Sequence, residues 1–138
     1  MAGALDPAVP ARPVPIWLWG PRLVAAVVMA YVGYLKLIDN PADVAIFTQL
    51  GMEPYGRYTI GAFEGLCAIV MVSPYAAVGG VMTSAVMVGA ILAHVTKLGV
   101  VVAGDGGKHI VLLVVVMTSA LVVAFVRRRE LPLIGETF

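Results

Sequence analysis

Charge and cysteine are both scarce in this chain. Only 12% of its 138 residues are Asp, Glu, Lys or Arg, whereas 61% are hydrophobic and the mean hydropathy is +0.98. A soluble domain carries about 25% charged residues, so this composition excludes one and points to an integral membrane protein. The net charge of +1 is spread over both ends. Without Lys and Arg clustered on one surface there is no footprint for nucleic acid. The only cysteine, Cys67, has no second sulfur for thiol–disulfide exchange, which excludes disulfide formation by this chain alone. It lies in an apolar stretch and reads as a small buried hydrophobe. Of the two histidines, His94 and His109, neither has a partner at the i, i+4 spacing of a metal-binding helix. Imidazoles on adjacent helices are the ingredients of a haem site, but two alone are too few to imply one, so no metal or haem is expected. Long polar segments are also missing, which leaves no room for a separate soluble catalytic domain.

What is present is a series of apolar runs. Residues 1–15 are rich in Pro and Ala and carry Asp6 and Arg12, a composition that predicts a mobile tail. Pro7, Pro10, Pro13 and Pro15 precede the first apolar run and no cleavable h-region follows, so a secretory signal fits poorly. Residues 16–126 then hold four stretches near the ~20 residues that cross ~30 Å of hydrocarbon. The first runs from Trp17 to Leu37, with Trp17 and Trp19 at one interface and Tyr34 near the other. The second runs from Arg57 to Ser73 and is stopped by Pro74; the third runs from Tyr75 to Leu98 and the fourth from His109 to Val126.

The expected fold is therefore all-α, a four-span membrane bundle. The block Arg127, Arg128 and Arg129 places the basic tail 127–138 in the cytoplasm, and an even number of spans brings the N-terminus to the same side. Lys36, Arg57, Lys97 and Lys108 enrich the outer side as well. Ser73 to Tyr75 is short and uncharged, a tight cytoplasmic hairpin.

The first outer loop has its own helical signals: Asn40 as N-cap, Pro41 at the first helical position and Gly51 as a stop. Val44, Ile46, Phe47 and Leu50 give it an apolar side, with Asp43 and Gln49 left for water. Too short to span, it should lie along the interface as a lid over the outer mouth. The second outer loop, Val100 to Gly107, has the composition of a flexible turn.

Three ionisable residues sit inside these apolar runs. An ionisable group within a span costs at least ~2.5 kcal/mol on insertion scales, so their placement near one face reads as a site. Lys36 ends the first span. Glu64 follows Arg57 by seven positions, roughly 10 Å below the outer end of the second span, and His94 lies roughly 6 Å below the outer end of the third. His109 opens the fourth span at the same face. Bland roles exist for each: snorkelling for Lys36, a structural ion pair with Lys36 or Arg57 for Glu64, and an interhelical hydrogen bond for His94. Among the remaining residues, Arg22 reads as an interfacial anchor. Ala85, Gly89 and Ala93, spaced every fourth residue, read as close helix packing, and Met29, Met71, Met82 and Met87 as packing or lipid-facing side chains.

The run Arg22 through Gly33-Tyr-Leu-Lys36-Leu37, then Phe47 and Leu50-Gly51-Met-Glu-Pro54, then Ile60-Gly61-Ala-Phe-Glu64, then Gly89-Ala90-Ile-Leu-Ala-His94 resembles the DoxX family of small four-span membrane proteins. The resemblance covers about Arg22 to Val126. It implies a bacterial or archaeal cytoplasmic membrane and a quinone-linked redox setting, since the family is named for a subunit associated with thiosulfate:quinone oxidoreductase and terminal oxidase complexes. It transfers no catalytic residue to this chain. Two expectations follow. In the first, the protein is a small membrane subunit whose outer-face pocket binds a quinone-like or other small amphipath through Lys36, Glu64 and His94. In the second, it is a non-catalytic scaffold within a larger membrane complex or homo-oligomer, its polar cluster acting as interhelical glue and its outer faces meeting lipid and partners.

Overall fold

The structure is a computed structural model that describes residues 13–132, and among them every regular element is helical. The tail expected over 1–15 falls mostly on residues 1–12, and the end of the basic tail on 133–138; both stretches lie outside the described residues. A short 3-10 turn leads into α1 (Trp19–Leu37), followed by α2 (Pro41–Leu50), α3 (Tyr55–Val72), α4 (Ala76–Ala93) and α5 (Lys108–Val126). A π-helical turn, His94–Leu98, extends α4.

Three helical segments are long and apolar enough to cross a membrane: Ile16–Leu37, Ala76–Leu98 and Lys108–Val126. The α3 helix is not among them, because Arg57 and Glu64, together with the Gly and Tyr residues of its first half, dilute its apolar character. It is nonetheless central to the packing. Each of α1 and α4 packs on both α3 and α5, so the four long helices close a ring around a shared core that includes Ala25, Met29, Cys67, Met71, Met87 and Val116. Large apolar side chains such as Val27, Ile69, Val111 and Leu121 face outward. Alanines among the methionines inside and branched side chains outside suit helices that gain little from hydrophobic burial against one another in lipid.

Backbone contact rather than side-chain bulk sets the helix spacing. A Cβ on Gly79 would lie 2.7 Å from the Met71 nitrogen of α3, and one on Gly80 would lie 2.7 Å from the Ala120 carbonyl of α5. The stripe Ala85, Gly89 and Ala93 behaves differently from its sequence reading. A Cβ on Gly89 would meet no atom within 4 Å, and all three residues line a cavity. Close packing on α4 thus belongs to the end near Gly79, and further along the same helix small residues leave open space.

Arg22 is also corrected from an interfacial anchor to an internal cap. It is 2% exposed, its Nε donates to the Met71 carbonyl at 3.0 Å and its Nη2 to the Ser73 carbonyl at 2.9 Å, and its guanidinium stacks over Trp19. The last carbonyls of a helix have no intrahelical donor, and in apolar surroundings a buried guanidinium supplies one. Part of the basic tail is likewise buried: Arg127 folds back onto Glu130 at 2.5 Å.

The helix predicted in the first loop is present as α2, with Asn40 before it, Pro41 at its start and Gly51 at φ 73° ending it in the left-handed region that favours glycine. Ile46 and Phe47 pack with Val102, and Leu50, Ile60 and Leu98 surround them. The second loop is built rather than flexible. Asp105 accepts hydrogen bonds from the backbone N–H groups of Val102 at 3.0 Å, Gly107 at 2.9 Å and His109 at 2.8 Å.

Candidate functional site

Between the long helices, and bordered by α2, lies a cavity of about 570 Å³. That is within the ~300–1,000 Å³ range of small-molecule sites. Its walls are mostly apolar, with Met29 and Val32 from α1, Phe47 from α2, Phe63 from α3, Met87 from α4 and Leu113 from α5. Met29 and Met87 therefore wall the cavity, while Met71 stays in the core. Six polar side chains also reach it: Lys36, Asn40, Asp43, Glu64, His94 and His109. All three sequence candidates thus line one cavity.

Lys36 and Glu64 are in direct contact. Lys36 Nζ lies 2.9 Å from Glu64 Oε2, and the two side chains are 12% and 5% exposed. Among the described residues no donor other than Lys36 reaches this carboxylate, so it keeps unused acceptor capacity. The pairing follows from a glycine on each helix. A Cβ on Gly61 would come within 2.9 Å of Lys36 Cβ, and one on Gly33 within 3.2 Å of Glu64 Cβ. Each charged residue is three positions from the glycine on its own helix. In the antiparallel crossing of α1 and α3 each glycine makes room for the other helix's charged side chain. Gly33 and Gly61 were part of the family resemblance; their physical task is this close approach.

The sequence reading left Asp43 to water, and the structure corrects that. Asp43 is 6% exposed, lies 3.8 Å from Lys36 Nζ and accepts a 2.7 Å hydrogen bond from Asn40 Nδ2. The signal was available in the spacing: Asp43, Ile46, Phe47 and Leu50 form an i, i+3, i+4, i+7 stripe, which puts the aspartate on the helix's inner face. Gln49 does face outward, and its Nε2 donates to the Lys97 carbonyl at 2.9 Å, tying α2 to the π turn.

The two histidines occupy the α4–α5 side of the cavity. His94 Nδ1 lies 2.6 Å from the Gly99 carbonyl, and His109 Nδ1 lies 2.6 Å from Asp105 Oδ2. Three backbone N–H donors and the His109 ring hold the Asp105 carboxyl well below the ordinary carboxylate range. No group of three or more His, Cys, Asp and Glu side chains suited to a metal ion occurs among the described residues.

Arg57 does not pair with Glu64. Its guanidinium is 2% exposed and binds Glu53 at 2.6 Å, Asp39 at 2.7 Å and the Lys36 carbonyl at the end of α1. Tyr58 donates to Asp39 at 2.7 Å, and that bond, with the help of Arg57, lowers the Asp39 pKa from its ordinary value. This network fastens the turn after α1 and so fixes where Lys36 stands. Sequence reasoning missed it because Glu53, at i−4 from Arg57, and Asp39 lay in segments read only as connections.

No curated protein and no solved structure shows significant similarity to the chain. The family model described as DoxX-like family matches residues 21–103, which span α1 to α4, the π turn and every cavity element except α5. With three helices fit to cross a membrane and a family match over more than half its length, the chain is a multi-pass membrane protein that belongs to the DoxX-like family.

Proposed function

We propose that this protein is a four-span membrane subunit that binds a small amphipathic molecule in the cavity, within a quinone-linked redox system of the membrane. In this reading α3 is the fourth span, its charges tolerated because they are paired inside the bundle, both termini are cytoplasmic, and α2 is an interfacial lid. The observation that carries it is that the Lys36–Glu64 pair and His94 line the same largely apolar cavity of about 570 Å³. Ionisable groups inside a span that are paired and face a cavity are the usual marks of a ligand or proton site. The apolar walls would take the ligand's body. Lys36, Glu64 and His94 would meet its head, with Asp43, Asn40 and His109 beside them.

The test is purification of the full chain at native expression in lipid nanodiscs, with mass spectrometry of everything that accompanies it. A stoichiometric small molecule that is lost in Glu64→Gln, while the variant stays folded, supports the reading. A ligand retained in that variant, or none in either protein, refutes it.

A second reading, that of a non-catalytic scaffold, draws on a shallow apolar groove along the outer side of α1 and α3. Leu23, Val27, Gly33, Ala62, Ile69 and Val72 line it, and it is shaped to seat a partner helix. That reading predicts a stable larger complex whose assembly survives Glu64→Gln and fails when the groove is filled.

A further inference from the structure

The polar inventory of the cavity is unbalanced. Among the described residues its only side-chain donors besides the histidines are the Lys36 ammonium and the Asn40 amide, and each already serves an acceptor of the wall, with one Asn40 N–H left over. Lys36 has Glu64 at 2.9 Å, the Val32 carbonyl at 3.5 Å and Asp43 at 3.8 Å around its ammonium, and Asn40 donates to Asp43 at 2.7 Å. The histidines add no donor while neutral. A carbonyl or carboxylate oxygen only accepts, so the Nδ1 of each ring must carry the proton that bonds Gly99 or Asp105. The Nε2 of each ring is then left with a lone pair. Glu64 is 4% exposed, and among the described residues Lys36 is the one donor that reaches its carboxylate, which has about four lone-pair sites. Among the described residues no Ser, Thr, Tyr, Trp or Gln reaches the cavity to redress the count.

We infer that the cavity selects an amphipath whose head donates hydrogen bonds, a hydroxyl-bearing molecule of the phenol or hydroquinone type, over one whose head only accepts them. This rests on the reading that the cavity is a ligand site and adds which chemistry it takes. A head with hydroxyl groups gives Glu64, His94 and His109 the donors they lack. A carbonyl-only head, such as an oxidised quinone, would bring further acceptors to groups that already lack donors, and buried acceptors left unpaired are costly. An anionic head would add a third negative charge to Glu64 and Asp43, against one ammonium.

Three probes of equal tail length decide the matter on the native full chain in lipid nanodiscs: 4-octylphenol, its methyl ether 4-octylanisole, and 4-octylbenzoate. Partition into protein-free discs is subtracted from each. A hydrogen bond to a charged or strongly polarised acceptor is worth enough that the phenol should bind about tenfold or more tightly than the ether, with the benzoate weakest. Gly89→Leu, whose side chain enters the open space in front of α4, should abolish binding of the phenol, which ties the preference to this cavity. Equal binding of phenol and ether that Gly89→Leu abolishes overturns the inference and leaves the ligand site standing. Benzoate binding as tightly as the phenol overturns it too. Failure of all three to bind overturns both the inference and the reading beneath it.

Discussion

Breaking the Lys36–Glu64 pair one side at a time should have unequal effects, and the surroundings say which side matters more. Lys36→Met leaves the Glu64 carboxylate 5% exposed. Among the described residues no other cation pairs with it, and Arg57 is held by Glu53 and Asp39. An uncompensated buried charge of this kind costs about 3–5 kcal/mol. Glu64→Met leaves the ammonium with Asp43 at 3.8 Å and with 12% exposure, so its cost should be smaller, about 1–3 kcal/mol. Replacing both residues with Met removes the desolvation penalty together with the attraction. Such exchanges of a buried pair for apolar side chains are neutral or stabilise by about 1–4 kcal/mol, so the double variant should be at least as stable as the native chain. Unfolding of the four proteins by SDS titration in mixed micelles, followed by circular dichroism, measures the cycle. A Lys36→Met cost below about 1 kcal/mol would place the pair among wet surface pairs, and a double variant as unstable as the sum of the singles would show no coupling. Either result would refute the description of a dry, mutually dependent pair. A double variant that is stable yet binds no amphipath would show that the pair is kept for binding and not for folding.

Two further outcomes follow from the geometry. Gly61→Ala puts a methyl group 2.9 Å from both the Gly33 carbonyl and Lys36 Cβ; it should force α1 and α3 apart and cost about 1–3 kcal/mol in the same titration, and a neutral effect would mean the helices are not in backbone contact. Asp105 has a folded pKa held below its ordinary value of 3.8, so its contribution is fully present above that pH and is lost as pH falls through the lowered folded value. Protection of the Val102, Gly107 and His109 amides, taken against their intrinsic exchange rates, should therefore hold down to pH about 4 and decline below it, and Asp105→Asn should lower it at neutral pH; amides that are unprotected and unaffected by the substitution would show that the loop is not organised by this carboxylate.

The reach of sequence reasoning can be judged from particular residues. Hydropathy located all four long helices to within two residues at most of their ends, α4 being taken together with its π turn to Leu98, although only three of them meet the length and apolarity needed to span. Local capping chemistry located α2 just as well, because Pro41 and Gly51 act through their own backbone angles and depend on nothing distant. Lys36, Glu64 and His94 stood out because charge inside an apolar run is conspicuous wherever it falls. The errors concern partners. Whether Arg22 faces lipid headgroups or the last carbonyls of α3 depends on a contact across 49 and 51 residues of chain. Whether Ala85, Gly89 and Ala93 bring helices together or leave a cavity depends on how far the neighbouring helices stand away.

The sequence by itself therefore determined the solvent, the helical class, the element boundaries and which ionisable groups are anomalous. These properties follow from composition, local backbone preference and short-range periodicity. The tertiary structure alone decided that Lys36 pairs with Glu64 while Arg57 is drawn to Glu53 and Asp39, that Asp43 turns inward, and that the small residues of α4 line an open volume. Those outcomes are set by the antiparallel crossing of α1 and α3 at Gly33 and Gly61, where two backbones touch. A contact of that kind is a property of two segments together and is written in neither one alone.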